Sequence, residues 1–282
     1  MTPVQRAYAA TPGGQLHFRA HGDPDGVPLV LLHQTASSSI QWAARVLPLL
    51  PAGIRAIALD TPGFGLSDPP PRPAPGLDWY ASRVRDLLDA LGIERAHLAG
   101  HHTGAMIACE VAAAFPERVA SLAPVGCVVL DTPDDAKPFR DTMVQWQADP
   151  RGAFVTDVLL PRLHLSVPDD ASASPAERAA AAEHMLLELG ATLQAGPAYW
   201  WAYDAVYGYP APQRLPLITA PTLCVVLQRE PQLLIDWTRR AAQLIPGAHL
   251  AELAAGTEAC FTEPGVLADC LARFVLAQAI EA

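Results

Sequence analysis

Apolar runs of strand length alternate with stretches of helical period along most of the chain. Arg6 to Ala10 and Gln15 to Ala20 read as strands around the Thr11-Pro12-Gly13-Gly14 turn signal. Val27 to Leu32 and Ile54 to Leu59 have the length and apolar character of strands buried on both faces. Between them, the loop His33 to Ser39 offers serines to cap a helix predicted over Ile40 to Leu50. Pro69 to Pro75 reads as surface loop. Asp78 is expected to cap a helix that carries Val84, Leu87, Leu88 and Leu91 and closes at Gly92. A strand ending at Ala99 and a helix from Ala105 to Phe115 flank the turn Gly100-His101-His102-Thr103-Gly104. Pro116 stops that helix, because proline disfavours helical geometry in the residue before it. Ala120 to Leu130 contains another strand.

From Asp131 to about Leu215 strand runs disappear. Ser174-Pro175-Ala176-Glu177 is a capping-box pattern with proline at the first helical position, followed by a helix through Met185, Leu186 and Leu189 toward Leu193. An aromatic cluster comes next, Tyr199, Trp200, Trp201, Tyr203, Tyr207 and Tyr209. Alternation resumes with Thr222 to Leu227, a helix around Leu233 to Leu244, the strand Ala248 to Leu253 and a helix from about Pro264 to Ile280. The division is therefore an α/β core of residues 1–130 and 216–282 with a helical insertion at 131–215. Alternating buried strands and helices make a mostly parallel sheet covered on both faces. Chemistry in such a sheet belongs at the carboxyl ends of the strands. The loops after Leu32, Leu59, Ala99, Leu227 and Leu253 should meet at one rim.

Composition narrows the function classes. The chain has 282 residues, 51% of them hydrophobic and 17% charged, enough for one full core with an insertion. Nineteen Lys and Arg against 29 Asp and Glu give a net charge of −10 with no basic run, which argues against a nucleic-acid partner. No apolar run approaches the ~20 residues that span a bilayer. Met1 to Gly14 has no apolar core of a secretory leader, so a cytoplasmic location is expected. The five cysteines, Cys109, Cys127, Cys224, Cys260 and Cys270, lack metal or disulfide spacing and read as buried thiols, Cys260 included.

Four stretches together resemble the α/β-hydrolase fold with a helical cap, over nearly the whole chain. Leu31-Leu32-His33 is similar to the strand end before the oxyanion loop. Asp60-Thr61-Pro62-Gly63-Phe64-Gly65-Leu66-Ser67 resembles the family's Asp-x-x-Gly-x-Gly-x-Ser turn. Gly100-His101-His102-Thr103-Gly104 sits where the family has its nucleophile elbow, and Pro221 to Val226 resembles the strand leading to the catalytic acid. The resemblance implies an eight-stranded, mostly parallel sheet with helices on both faces and an inserted cap, and no cofactor. The catalytic positions depart from the family. His102 holds the nucleophile position, Glu230 falls at the acid position, and Thr257 falls where the triad histidine belongs. The oxyanion loop reads His33-Gln34 where His-Gly is usual.

In this setting an imidazole at His102 could enter the space of the missing triad histidine and meet Glu230, a His–carboxylate pair suited to general-base work. Asp131 is the second choice of acid. The backbone N–H groups of Thr35 and Thr103 would form the oxyanion hole. His33, Gln34, Trp42, Trp146, Trp200, Trp201, Tyr203, Thr257 and Glu258 are candidate substrate contacts, with an apolar pocket under the cap; His33 reads first as a brace of its own loop, and the tryptophans and Tyr203 read equally as core. His164 and His184 are expected on solvated cap faces. A metal site is not expected at His101-His102, because adjacent histidines on a strand point apart. The leading reading is hydrolysis of a small, fairly apolar carbonyl compound (ester, lactone or C–C/β-keto type) with His102 as base or nucleophile. A lyase, decarboxylase or cyclase working by proton abstraction next to a carbonyl is the second. A non-catalytic ligand-binding protein is the third. A small molecule is the expected partner, with homodimerisation left open.

Overall fold

The computed structural model describes residues 3–71, 75–142, 150–159, 174–196 and 199–281. In chain order it has β1 (Gln5–Thr11), β2 (Gly14–His21), β3 (Val27–Leu32), α1 (Ile40–Ala43), β4 (Ile54–Leu59), α2 (Leu77–Ala90), β5 (Ala96–His101), α3 (Thr103–Ala114) and β6 (Val119–Val125). Between β6 and β7 the described elements are helical, among them α4 (Lys137–Thr142), α5 (Pro175–Ala195), α6 (Tyr199–Tyr207) and α7 (Ala211–Arg214). The chain closes with β7 (Leu223–Leu227), α8 (Gln232–Leu244), β8 (His249–Leu253), α9 (Ala259–Thr262) and α10 (Pro264–Glu281).

The eight strands form one sheet in the order β1-β2-β4-β3-β5-β6-β7-β8. β1 and β2 join antiparallel at one edge, and every pair from β4 through β8 is parallel. The period-two geometry of a strand sorts the central apolar runs to two faces. Val30 and Leu32 join a core with α2, α3 and α6, while Leu29 and Leu31 join a second core with Trp42, Phe261 and Leu271. β5 lies between β3 and β6, so its carboxyl end opens at the middle of the rim. Among the described residues no helix is long and apolar enough to cross a membrane.

Two local expectations are corrected. The helix predicted from Ile40 to Leu50 ends as an α-helix at Ala43, with only a 3-10 turn at Leu47–Leu49. Pro48 and Pro51 lack the N–H that a continued helix needs. Ser39 makes no side-chain cap, its N–H donating to Asp60 Oδ1 at 2.6 Å and its hydroxyl accepting from Arg19; among the loop serines it is Ser38 whose Oγ accepts the Ile40 N–H, at 3.4 Å. Asp78 is likewise not a cap but a first-turn residue behind Gly76, where its charge meets the positive helix end.

Candidate active site

The site is built on the turn between β5 and α3. Its flanking glycines are required by close approach. A Cβ at Gly100 would lie 2.2 Å from the Gly104 carbonyl oxygen, and one at Gly104 would lie 2.3 Å from the Leu32 oxygen. His102 between them has φ 47° and ψ −107°, and among the described residues it alone has a positive φ without being glycine. Such a backbone costs of order 1–3 kcal/mol and persists only where surrounding contacts impose it. Here the His102 N–H donates to the Val125 carbonyl at 2.9 Å, and the His102 carbonyl accepts the Met106 N–H at 3.0 Å. Thr103 then opens α3, so its N–H has no partner within the helix.

The turn also corrects the expectation that His101 and His102 point apart. That expectation assumes strand alternation through both residues, and the positive φ at His102 breaks it. The two rings lie beside one another, centroids 4.2 Å apart and planes at 36°. Both face Glu230, which the loop after β7 carries. His102 Nε2 is 2.6 Å from Glu230 Oε1, and Thr257 Oγ1 donates to the same oxygen at 3.3 Å. His101 Nε2 is 3.9 Å away, beyond hydrogen-bond length. The Glu230 side chain is 1% exposed and that of His102 is 18% exposed, so the pair is open from the His102 side alone. Burial by itself would raise Glu230, but the neighbouring His101 and His102 outweigh it and hold the carboxyl well below the usual carboxylate range. Ionised Glu230 can only accept, so His102 Nε2 is the donor in the short bond.

Gly126, just beyond β6, makes room for this pair. It has φ 65°, and a Cβ there would sit 2.4 Å from His102 Cδ2 and 2.7 Å from Nε2. A polar chain runs outward on the other side. The Gln34 N–H donates to Gln41 Oε1 at 2.9 Å, and Gln41 Nε2 lies 2.9 Å from His101 Nδ1. Gln34 Nε2 donates to Glu188 Oε1 on α5 at 2.7 Å, and the same oxygen meets His184 Nε2 at 3.2 Å. Burial disfavours charged His184, but Glu188, joined by Glu258, outweighs it and raises its pKa. Glu258 is itself raised, by burial and by the nearby Glu188 and Glu230.

His101, His102 and Glu230 place three ligand atoms within 4.8 Å of one another, a spacing a divalent cation could bridge. The hydrogen bonds argue for protons instead. A metal-bound histidine donates its other N–H to an acceptor, whereas His101 Nδ1 receives the Gln41 amide.

The remaining expected contacts divide. Thr257 is beside Glu230, and Glu258 follows it. The Thr35 carbonyl accepts the Tyr203 hydroxyl, which ties α6 to the oxyanion-position loop. Trp200 and Tyr203 pack partly buried on the core under α6, and Trp201 is half-buried on the same helix. Gln34 is a link to α5 and is 3% exposed. His33 is corrected from a substrate contact to a loop brace. Its Nδ1–H donates to the Gln34 carbonyl at 2.7 Å, and Nε2 accepts from the Thr61 N–H at 3.0 Å, which uses both nitrogens. Trp42 is also corrected, because its side chain is fully buried in the core on the opposite sheet face. Asp131 is exposed and Glu230 is the acid at the turn. His184 is not on a solvated face: it is 3% exposed, and its ring lies tilted against Phe261 with centroids 4.9 Å apart. Burial pushes the Cys260 thiol up, away from reactive thiolate. Trp146 and His164 lie outside the described residues. A cleft of about 570 Å³ lies elsewhere, lined by Asp78, Glu110, Arg140, Asp204 and Arg214 among others. Its arginines already pair with its acids, Arg140 with Asp204 and Arg214 with Glu110.

Sequence reasoning missed Gln41, Gly126 and Glu188 as parts of this site. His184 and Glu188 are four apart on a predicted helix, a readable pairing signal. Gln41 and Gly126 carry no local signal, because their partners are distant in sequence.

Comparison with known proteins agrees with the architecture. A family model described as the alpha/beta hydrolase fold matches residues 27–264. A 2-hydroxy-6-oxononadienedioate/2-hydroxy-6-oxononatrienedioate hydrolase of Pseudomonas putida is 36% identical over 115 residues, 40% of each chain, so the match spans under half of that relative. RutD of Stutzerimonas stutzeri, provisionally named a carbamate hydrolase, is 28% identical over 250 residues, covering 86% of this chain and 90% of that one. Among solved structures, an enol-lactonase from Burkholderia xenovorans superposes with a TM-score of 0.76 at 21% identity, over 97% of this chain and all of that one. A hydrolase from Pseudomonas aeruginosa gives 0.79 at 22% identity, over 96% and 98% of the two chains. At such identities the shared property is the fold.

Proposed function

The chain belongs to the α/β-hydrolase fold family, and we propose that it is a cofactor-independent hydrolase of a small, fairly apolar carbonyl compound in which His102 replaces the usual serine and works as general base. The observation that carries this reading is the 2.6 Å bond between His102 Nε2 and Glu230 Oε1. With Nε2–H committed to the carboxylate, Nδ1 holds the free lone pair. That nitrogen is flanked by the side chain's own Cβ, which crowds acyl transfer but leaves room for a small water. Base catalysis is therefore favoured over covalent attack by His102.

In the proposed cycle a water lies between His102 Nδ1 and the substrate carbonyl. His102 takes one water proton as the oxygen attacks, and Glu230 stabilises the imidazolium that forms. The negative oxygen is received by the N–H groups of Thr103 and Thr35, with the positive end of α3 behind them. The imidazolium then returns its proton to the leaving group. Trp200, Trp201 and Tyr203 would give the substrate an apolar wall. The named activities of the relatives, an enol-lactonase and a 2-hydroxy-6-oxononadienedioate/2-hydroxy-6-oxononatrienedioate hydrolase, support a lactone or an oxo compound as substrate.

The test is turnover of an ester, lactone and β-keto panel by His102→Ala and Glu230→Gln. General-base help is worth about 10²–10⁴ in rate, so kcat of His102→Ala should fall by that factor. Glu230→Gln should fall less, because it keeps the ring in place and loses only the charge. Turnover untouched by His102→Ala would overturn the proposal.

A further inference from the structure

Two histidines face one buried carboxylate, and only His102 takes part in the proposed proton transfer. The other is controlled by a chain of hydrogen bonds that starts at the backbone. The Gln34 N–H can only donate, and it points at Gln41 Oε1 at 2.9 Å, which fixes the orientation of the Gln41 amide. The other end of that amide is then NH₂, and it meets His101 Nδ1 at 2.9 Å. An NH₂ group cannot accept, so His101 Nδ1 is the acceptor and the ring proton of neutral His101 lies on Nε2. That N–H faces the Glu230 carboxylate at 3.9 Å. All three residues of this relay are enclosed, with Gln41 at 1% exposure and the side chains of His101 and Glu230 at 1% each.

We propose that Gln41 and His101 are positioning residues: Gln41 locks His101 as the neutral Nε2–H tautomer, whose fixed proton faces Glu230, so that of the two adjacent histidines only His102 exchanges protons. The neutral form is supported separately. Burial, then the nearby His102, lower His101 to about 4 despite the pull of Glu230. The N–H dipole helps keep Glu230 ionised without adding a competing base. It also distinguishes the site from a metal centre, because His101 Nε2 offers a proton and not a lone pair. This inference rests on the proposed role of His102 for its catalytic meaning, while the tautomer itself does not.

The test is long-range 1H–15N correlation on the full chain labelled with 15N-histidine, which shows the protonated nitrogen of each ring. In the wild type His101 should carry its proton on Nε2 and stay neutral from mildly acid to basic pH. Gln41→Glu is nearly the same shape but turns the donor at Nδ1 into an acceptor. It should draw a proton to Nδ1 and make His101 an imidazolium near neutral pH. If the wild type instead shows the proton on Nδ1 with Nε2 bare, or if stoichiometric Zn²⁺ shifts both rings, the proposal is overturned. Should Gln41→Glu fail to fold, the wild-type spectrum alone decides. Where turnover is found, Gln41→Glu should lower kcat about tenfold and move the acid limb of the pH profile downward, since a cation beside His102 weakens it as a base. His101→Gln, whose amide still offers a donor to Glu230, should keep the wild-type profile. An unchanged profile in Gln41→Glu would overturn the positioning role and leave the His102 proposal intact. Absence of turnover in the wild type would sink the proposed function and leave the tautomer result in place.

Discussion

Replacing Gly126 by alanine tests whether the His102–Glu230 pair is formed as described, without any substrate. The added Cβ would stand 2.4 Å from His102 Cδ2, 2.7 Å from Nε2 and 3.4 Å from Glu230 Oε2. Carbon atoms pack at about 3.5–4.0 Å, so the imidazole must move by more than about an ångström. Such a shift breaks the 2.6 Å bond. Alanine at φ 65° costs about 1 kcal/mol on its own. Losing a hydrogen bond to a charged group, with Glu230 left buried, costs about 2 kcal/mol more. In the wild-type background Gly126→Ala should therefore destabilise by about 3 kcal/mol. In a His102→Ala background the obstruction is gone and only the backbone cost of about 1 kcal/mol should remain. Urea unfolding of the four proteins completes the cycle, with an expected coupling near 2 kcal/mol. A coupling below about 0.5 kcal/mol would show that residues 102 and 126 do not meet and would refute the geometry.

Two further outcomes concern stability. Asp60 accepts from His17 Nδ1 at 2.7 Å, the Ser39 N–H at 2.6 Å and the Leu66 N–H at 2.9 Å. Asp60→Asn turns one acceptor into a donor facing these donors and should cost about 3 kcal/mol in urea unfolding, with loosening of the loop that carries Gln34; a cost under about 1 kcal/mol would contradict the network. Burial lowers both His97 and His101 to about 4 from 6.5. Folded-state pKa values lie below the unfolded ones, so the unfolded chain binds more protons between those limits. Stability is then full above pH 6.5 and is lost as pH falls toward 4, by up to about 3 kcal/mol per histidine. His97→Leu should lose correspondingly less over that range. The difference between the two proteins is the measurement, because raised His184 contributes with the opposite sign. Parallel curves would refute the assignment for His97.

The strands were legible because they depend on local runs: Val27–Leu32 and Ile54–Leu59 are strands over the residues their apolar runs mark. The start of the helix after Ser39 was legible, but its end was overrun, because the helical period was read through Pro48 and Pro51. No local signal shows that Asp60, 21 residues away in sequence, holds the Ser39 N–H. Trp42 shows the same limit. An aromatic residue near the rim in sequence can face either side of a sheet, and here it fills the far core. His33 was ambiguous for a different reason: a histidine at a strand end can brace or bind, and only Thr61 and the Gln34 carbonyl decide for bracing.

The turn at His102 is where local reasoning had to fail in one respect. Alternation along β5 predicts that consecutive side chains diverge, yet a single residue at φ 47° brings two imidazoles side by side. That geometry has two consequences with one cause. It lifts the His102 ring over the carboxyl end of the sheet, and it lays that ring against His101, which Gln41 has already supplied with a fixed donor. A carboxylate with one donor would be a simple His–Glu pair. With two imidazoles facing it, only one of them bonded, Glu230 can stay ionised in a buried place while His102 keeps its second nitrogen free. The same strained turn that carries a nucleophile elsewhere in the fold thus becomes, in the reading proposed here, the mount for a base. Gly126 is the condition for it, because any side chain there would occupy the volume the imidazole needs.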